Sequence, residues 1–209
     1  MADRLILEHW WLGPLLWGVL YACDYLLTVT TARRAAGPVG EHLVYEKGIE
    51  LNPLWQAEVA TLRWFSWRFL VVWALTVAIF VPYHFLTEAF HMPQAYAFAA
   101  GVLVLLSCVV NARHVSSLIT FSAMAEPGAM QGKLFYSYWL SLRVSGAQFL
   151  GMGVLRGLMA AVTQSWFVAG GAVECVYVGW LHWRRSVREQ AKAPGMPPPP
   201  PPPPPAEAG

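Results

Sequence analysis

Charge is what this chain has least of: Asp, Glu, Lys and Arg make up 12% of its 209 residues, against about a quarter in a soluble globular domain. With 56% hydrophobic residues and a mean hydropathy of +0.43, the chain is suited to lipid as its solvent. The formal net charge of +2 is too small for nucleic acid, and the basic residues flank apolar segments instead of forming a stripe that tracks phosphates, so nucleic-acid binding is excluded. Cys23, Cys108 and Cys175 are far apart and show no CxxC spacing, which argues against a disulfide framework and a zinc site and leaves buried thiols. No Ser-His-Asp order, glycine-rich phosphate loop or close pair of carboxylates is visible, so an enzyme would have no identified nucleophile or base, and no cofactor is implied. The N-terminus pairs Asp3 and Glu8 with one Arg4, and its apolar stretch contains Asp24 without a small-x-small cleavage site, so it does not read as a signal peptide.

Long apolar runs are what the chain has in quantity. A bilayer core about 30 Å thick needs about 20 mostly apolar residues per helix, and five stretches qualify: 10–31, 64–82, 95–118, 144–162 and 164–183. Tryptophans cluster near their ends, at Trp10, Trp11, Trp64, Trp67, Trp139, Trp180 and Trp183, where amphipathic rings favour the headgroup level. The expected fold is an all-α polytopic bundle over residues 1–190, multi-pass in a bacterial-type inner membrane. Arg33, Arg34, Lys47, Arg63, Lys133, Arg143, Arg184, Arg185 and Arg188 fall on one side of five spans, and the loop at 83–94 has no Lys or Arg. The positive-inside rule then predicts an outside N-terminus and a cytoplasmic C-terminus. A four-span alternative, with 132–183 as one broken segment, strands Arg184 and Arg185 outside.

Asn52-Pro53 reads as a helix start, leading along the interface to Arg63 and into the second span. Lys133–Arg143, with Phe135, Tyr136, Tyr138 and Trp139 among polar residues, suits a short interfacial helix. Residues 191–209, with nine consecutive prolines from Pro197 to Pro205, have too little apolar surface to fold around and are expected to be a disordered, polyproline II tail.

Ionisable groups inside the membrane are costly, which makes them the best pointers to a site. Trp17, Tyr21, Asp24, Thr28 and Thr31 form one helical stripe that must face protein, and Ser107, Asn111 and His114 form a second. At about 1.5 Å rise per residue, Asp24 lies about 21 Å and Asn111 about 24 Å from the outer ends of their spans, with Arg68 at a similar level. The expectation is a cluster of Asp24, Thr28, Arg68, Asn111 and His114, approached by Glu50 and Asn52 from the loop below. It serves either as a site for a small cation or polar solute, or as an Asp24–Arg68 or Asp24–Arg113 ion pair that ties helices together. Arg156 and Glu174 are expected to pair across the last two spans, and Gly146, Gly153, Gly157 and Ala160 offer a face for close helix approach. His84, Glu88 and His91, at i, i+4 and i+7, are a candidate metal set, though not the HExxH of zinc proteases.

The pattern Asp24-x-x-x-Thr28, then Gly48-x-Glu50-x-Asn52-Pro53-Leu54, then a span with Asn111, resembles an uncharacterised family of small prokaryotic three-helix membrane proteins. The resemblance covers about residues 14–118 and implies that Asp24, Thr28, Glu50, Asn52 and Asn111 act together. It brings no substrate, and this chain adds two further spans and the proline tail. Three readings remain: a cation or solute site, an accessory or assembly subunit that meets a membrane partner or another copy, and a metal-dependent membrane enzyme.

Overall fold

A computed structural model describes residues 2–47, 50–52, 55–126 and 128–192. Over these the chain is all-α apart from one small ladder, and each of the five predicted runs is a helix. The helices are α1 (Ala2–Glu8), α2 (Leu12–Ala36), α3 (Gln56–Ala60), α4 (Trp67–Ala89), α5 (Pro93–Met124), α6 (Tyr138–Thr163) and α7 (Trp166–Lys192). A 3-10 turn follows α2 at Pro38–Glu41. Three helices, α2, α4 and α5, are long and apolar enough to cross a membrane, with hydropathies of 1.4, 2.1 and 2.0, a set compatible with an integral membrane protein. The polyproline tail and Pro53 lie outside the described residues.

Central α5 packs against α2 on one side and α7 on the other; α6 rests on α7, and α4 sits at the edge against α2 and α5. The core at one end joins Ile6, Trp17, Phe80, Tyr96, Ala100, Val104 and Phe167. Only 11% of the most apolar window of α4 is buried, so Leu75, Ile79, Phe85 and Leu86 point outward. Lipid is the medium in which such a face costs nothing.

Two expectations about the loops change. The segment after Lys133 is not a helix: β1 (Leu43–Tyr45) and β2 (Leu134–Tyr136) form a parallel ladder that pairs Leu43 with Leu134, Val44 with Phe135 and Tyr45 with Tyr136. Across this ladder Tyr45 and Tyr136 stack with centroids 5.4 Å apart. The Glu46 carboxylate then accepts the Tyr138 N–H at 2.7 Å, so one loop caps the helix that follows the other. The helix ahead of the second span is also shorter than expected. α3 ends at Ala60, Leu62 takes a left-handed backbone (φ 51), and α4 starts afresh at its N-cap Ser66, whose hydroxyl accepts the Phe69 N–H at 3.3 Å.

At the opposite end, α6 closes on Gln164 with φ 52 and α7 begins two residues later. The Asp3 carboxylate reaches across from α1 to this start, accepting from Trp166 N at 2.9 Å, Phe167 N at 2.9 Å and Ser165 Oγ at 2.7 Å. Ser165 Oγ in turn accepts the Val168 N–H at 3.3 Å. The first N–H groups of α7 are thus satisfied by a carboxylate distant in sequence, which also complements the helix dipole. Asp3→Ala is expected to cost about 2 kcal/mol, read as a lower unfolding midpoint in detergent, with faster amide exchange at the start of α7 and no change at the far end of α5.

Candidate functional site

Asp24 and Thr28 lie one turn apart on α2, and His114 on α5 meets both: His114 Nε2 stands 3.1 Å from Asp24 Oδ1 and 3.0 Å from Thr28 Oγ1. Thr28 Oγ1 also donates to Asp24 Oδ1 across 3.5 Å. Because carboxylate and hydroxyl meet the same imidazole nitrogen, this is not a nucleophile–base–acid relay, in which the acid orients one nitrogen and the other takes the proton. The arrangement holds a carboxylate in place within an apolar helix.

His114 stands where the sequence suggested Arg68 or Arg113. The Arg68 guanidinium lies over the Trp55 ring, 5.8 Å from its centroid, and Arg113 over Phe149 at 4.8 Å. Depth along a helix is legible in sequence, but rotation about its axis decides which neighbour a side chain meets. Asn111 is turned to packing: its Nδ2 donates to Leu20 O at 2.9 Å and to Ser107 O at 2.8 Å, tying α5 to the α2 backbone. Replacing it by Ala is expected to cost about 1 kcal/mol of stability. Any response of the protein to cations should survive, which separate titrations of Asn111→Ala and wild type would check.

Glu50 comes up from the loop after β1. Its Oε1 accepts the Asn52 N–H at 2.6 Å, the Asn52 carbonyl accepts Trp55 N at 3.0 Å and Gln56 N at 3.2 Å, and Gln56 Nε2 returns to Glu50 O at 3.0 Å. This is why a Glu-x-Asn sequence belongs just ahead of α3. Loss of water on burial pushes the Glu50 carboxyl above its ordinary value. The Asn52 N–H, His114 and Arg113 oppose that rise, and the Asp24 charge adds to it.

Tyr21, Asp24, Thr28 and Glu50 converge on a cavity of about 30 Å³ closed by Tyr25, Trp55, Val59 and Phe69. That space holds a water or a small cation. The Tyr21 hydroxyl is buried with no protein partner, and its ring is stacked between Trp17 and Phe69 at 4.9 and 4.7 Å. Its oxygen is therefore fixed in place and available to an occupant. Tyr21 was placed on the stripe by its spacing; what sequence could not show is that the ring is held while the hydroxyl stays unspent.

Comparison with family models, curated proteins and solved structures finds no match. The resemblance in the Asp-x-x-x-Thr and Glu-x-Asn-Pro motifs therefore rests on those residues alone. Of them, the structure brings Asp24, Thr28 and Glu50 to one cavity, holds Asn52 against Glu50, and directs the Asn111 amide nitrogen to backbone.

Two other sets do not form as expected. Arg156 is buried, but its Nη1 donates to Cys175 Sγ at 3.2 Å and to Leu105 O at 2.8 Å, not to Glu174. The α6–α7 turn sets the register so that Cys175, and not its neighbour, faces the guanidinium, which fastens α6 to both α7 and α5. The set His84, Glu88 and His91 is broken because α4 runs through Pro82 and ends at Ala89, leaving His91 off the helix with φ 54. His84 is buried, stacked on Trp10 at 5.2 Å and edge-on to Tyr96 at 4.9 Å, while Glu88 and His91 are exposed. Among the described residues no three His, Cys, Asp or Glu side chains come together as a metal-holding group.

Proposed function

We propose that the protein binds, and in doing so carries or senses, a small cation at the cavity between Asp24 and Glu50. The observation that carries this reading is the convergence of Asp24, Glu50, Thr28 and Tyr21 on a space of about 30 Å³. Hard cations are held by oxygen ligands of this kind, and a carboxylate kept in an apolar bundle is rarely idle. In this reading all five long helices span an inner membrane, with α6 and α7 as a hairpin. The N-terminus is outside and the C-terminus cytoplasmic. Support comes from the bundle end that carries Lys47, Lys133 and Arg188: it also holds the β1–β2 ladder and the Lys47–Glu189 ion pair at 2.8 Å, so the basic residues share one side.

The test is to titrate the purified chain in lipid nanodiscs with sodium, potassium, magnesium and calcium chlorides while its unfolding midpoint is followed. One cation should stabilise the wild type saturably, by about 2.7 kcal/mol at a hundred times its Kd. Asp24→Asn should stay folded and lose the response. Equal stabilisation of wild type and Asp24→Asn would sink the proposal. A membrane-protein partner, or a second copy, retained in stoichiometric amount by both forms would favour the accessory-subunit reading, for which the outward apolar face of α4 is the available surface.

A further inference from the structure

Beside the small cavity lies a larger one of about 340 Å³, between the C-terminal turns of α2, strand β1 and α3. Volumes of this order are those of small-molecule pockets. Its wall is mostly apolar, with Ala32, Ala35, Leu43, Val44, Ala60 and Leu62 contributing, and the two cavities share Glu50 and Val59. The polar groups in the larger one are unequal. Lys47 is committed: its Nζ pairs with Glu189 Oε2 at 2.8 Å and lies over the Tyr138 ring at 4.5 Å. The Gln56 amide is held by the Glu50 backbone carbonyl at 3.0 Å. Among the described residues Glu50 alone presents an acidic group to both spaces, and the carbonyl end of α2, partially negative, borders the same cavity at Ala35 and Ala36.

We infer that the larger cavity binds a small lipophilic ammonium compound, its apolar body against the Ala35–Leu62 wall and its ammonium on the Glu50 carboxylate. The inference rests on the preceding reading in sharing Glu50 as the acidic group, and it adds the ligand class. An ammonium brought within contact of a carboxylate favours its ionised form. The charges that act on Glu50 are Asp24 from α2 and Arg113 and His114 from α5, while Lys47, on the wall of the larger cavity alone, pairs with Glu189, which also pairs with Lys192. Asp24 and His114 are occupied with each other at 3.1 Å.

The experiment compares phenylbutylammonium, phenylbutanol and phenylbutyrate, which share one apolar body and differ in charge. Each is titrated by calorimetry into the full chain in nanodiscs, with empty nanodiscs subtracted. Phenylbutylammonium should bind saturably, and more tightly than phenylbutanol or phenylbutyrate. Glu50→Gln should lose at least tenfold in affinity. Ala35→Phe, or Ala60→Phe should the first not fold, should abolish ammonium binding and leave the inorganic-cation response at Asp24 intact. Equal binding of phenylbutanol, preference for phenylbutyrate, or ammonium binding indifferent to Glu50→Gln would overturn the inference. If the inorganic-cation response persists while no ammonium binds, only the inference falls. If ammonium binds normally to a chain whose inorganic-cation response never appears, only the preceding reading falls.

Discussion

Gly101→Ala and Gly170→Ala should each strip the protein of most of its stability, by about 3 kcal/mol or more, whereas Gly157→Ala should leave it unchanged or slightly firmer. At the α5–α7 crossing a Cβ on Gly101 would overlap the Phe167 carbonyl, and one on Gly170 would overlap the Phe98 carbonyl. Both obstacles are backbone, so neither can swing aside as a flexible side chain would, and the two helices must separate. Separation loosens the Phe167 contact with Tyr96 and Val104 and draws the start of α7 away from Asp3. Gly157 meets nothing within 4 Å, so a methyl group there only improves helix propensity, by up to about 1 kcal/mol. Unfolding midpoints of the three variants in one detergent decide the matter. Equal behaviour of Gly157→Ala and Gly170→Ala would refute the crossing.

The glycine face of α6 that sequence spacing picked out proves only partly relevant. A Cβ on Gly146 would stand 3.0 Å from the Gly179 carbonyl oxygen, and one on Gly153 would press on Val176 and the Ala172 carbonyl, but Gly157 on the same face is open. Spacing identifies a face, while the crossing point of two helices decides which of its members is in contact. The same contrast runs through the rest of the fold. Apolar runs made the five long helices legible, since nothing but length and composition was needed. Asp24 and Thr28 were legible because a carboxylate in an apolar run stands out, and Glu50 because the Glu-x-Asn loop stands behind it. The partners were not. His114 rather than Arg68 beside Asp24, Cys175 rather than Glu174 beside Arg156, and Asp3 at the start of α7 all depend on helix rotation and on how distant turns meet. The β1–β2 ladder joins two three-residue segments from separate loops, too short for a periodicity and with no hairpin turn between them.

Glu50 supplies the other large effect, and its direction can be worked out in advance. The folded carboxyl holds its proton more tightly than the unfolded one, whose ordinary value is 4.5, because burial penalises the ionised form. The contribution of the protonated group to stability is therefore fully present below the unfolded value. It is lost as pH rises through that value toward the higher folded one, each tenfold difference in proton affinity amounting to about 1.4 kcal/mol. Glu50→Gln keeps the shape and cannot ionise, so the stability of wild type minus that of Glu50→Gln should fall with rising pH and then level off. Ion pairs such as Lys47–Glu189, where Lys192 and Lys47 hold the Glu189 carboxyl down at about 2, run the opposite way and are present in both proteins, so they cancel in the difference. A bound cation compensates the ionised carboxylate, so its stabilising effect on wild type should grow across the same window in which the wild type alone weakens. Unfolding curves of both proteins from about pH 4 to 8, with and without the cation, measure all of this. Parallel curves would mean that Glu50 titrates as an ordinary surface carboxylate and that the two cavities do not share an acidic group held back from water.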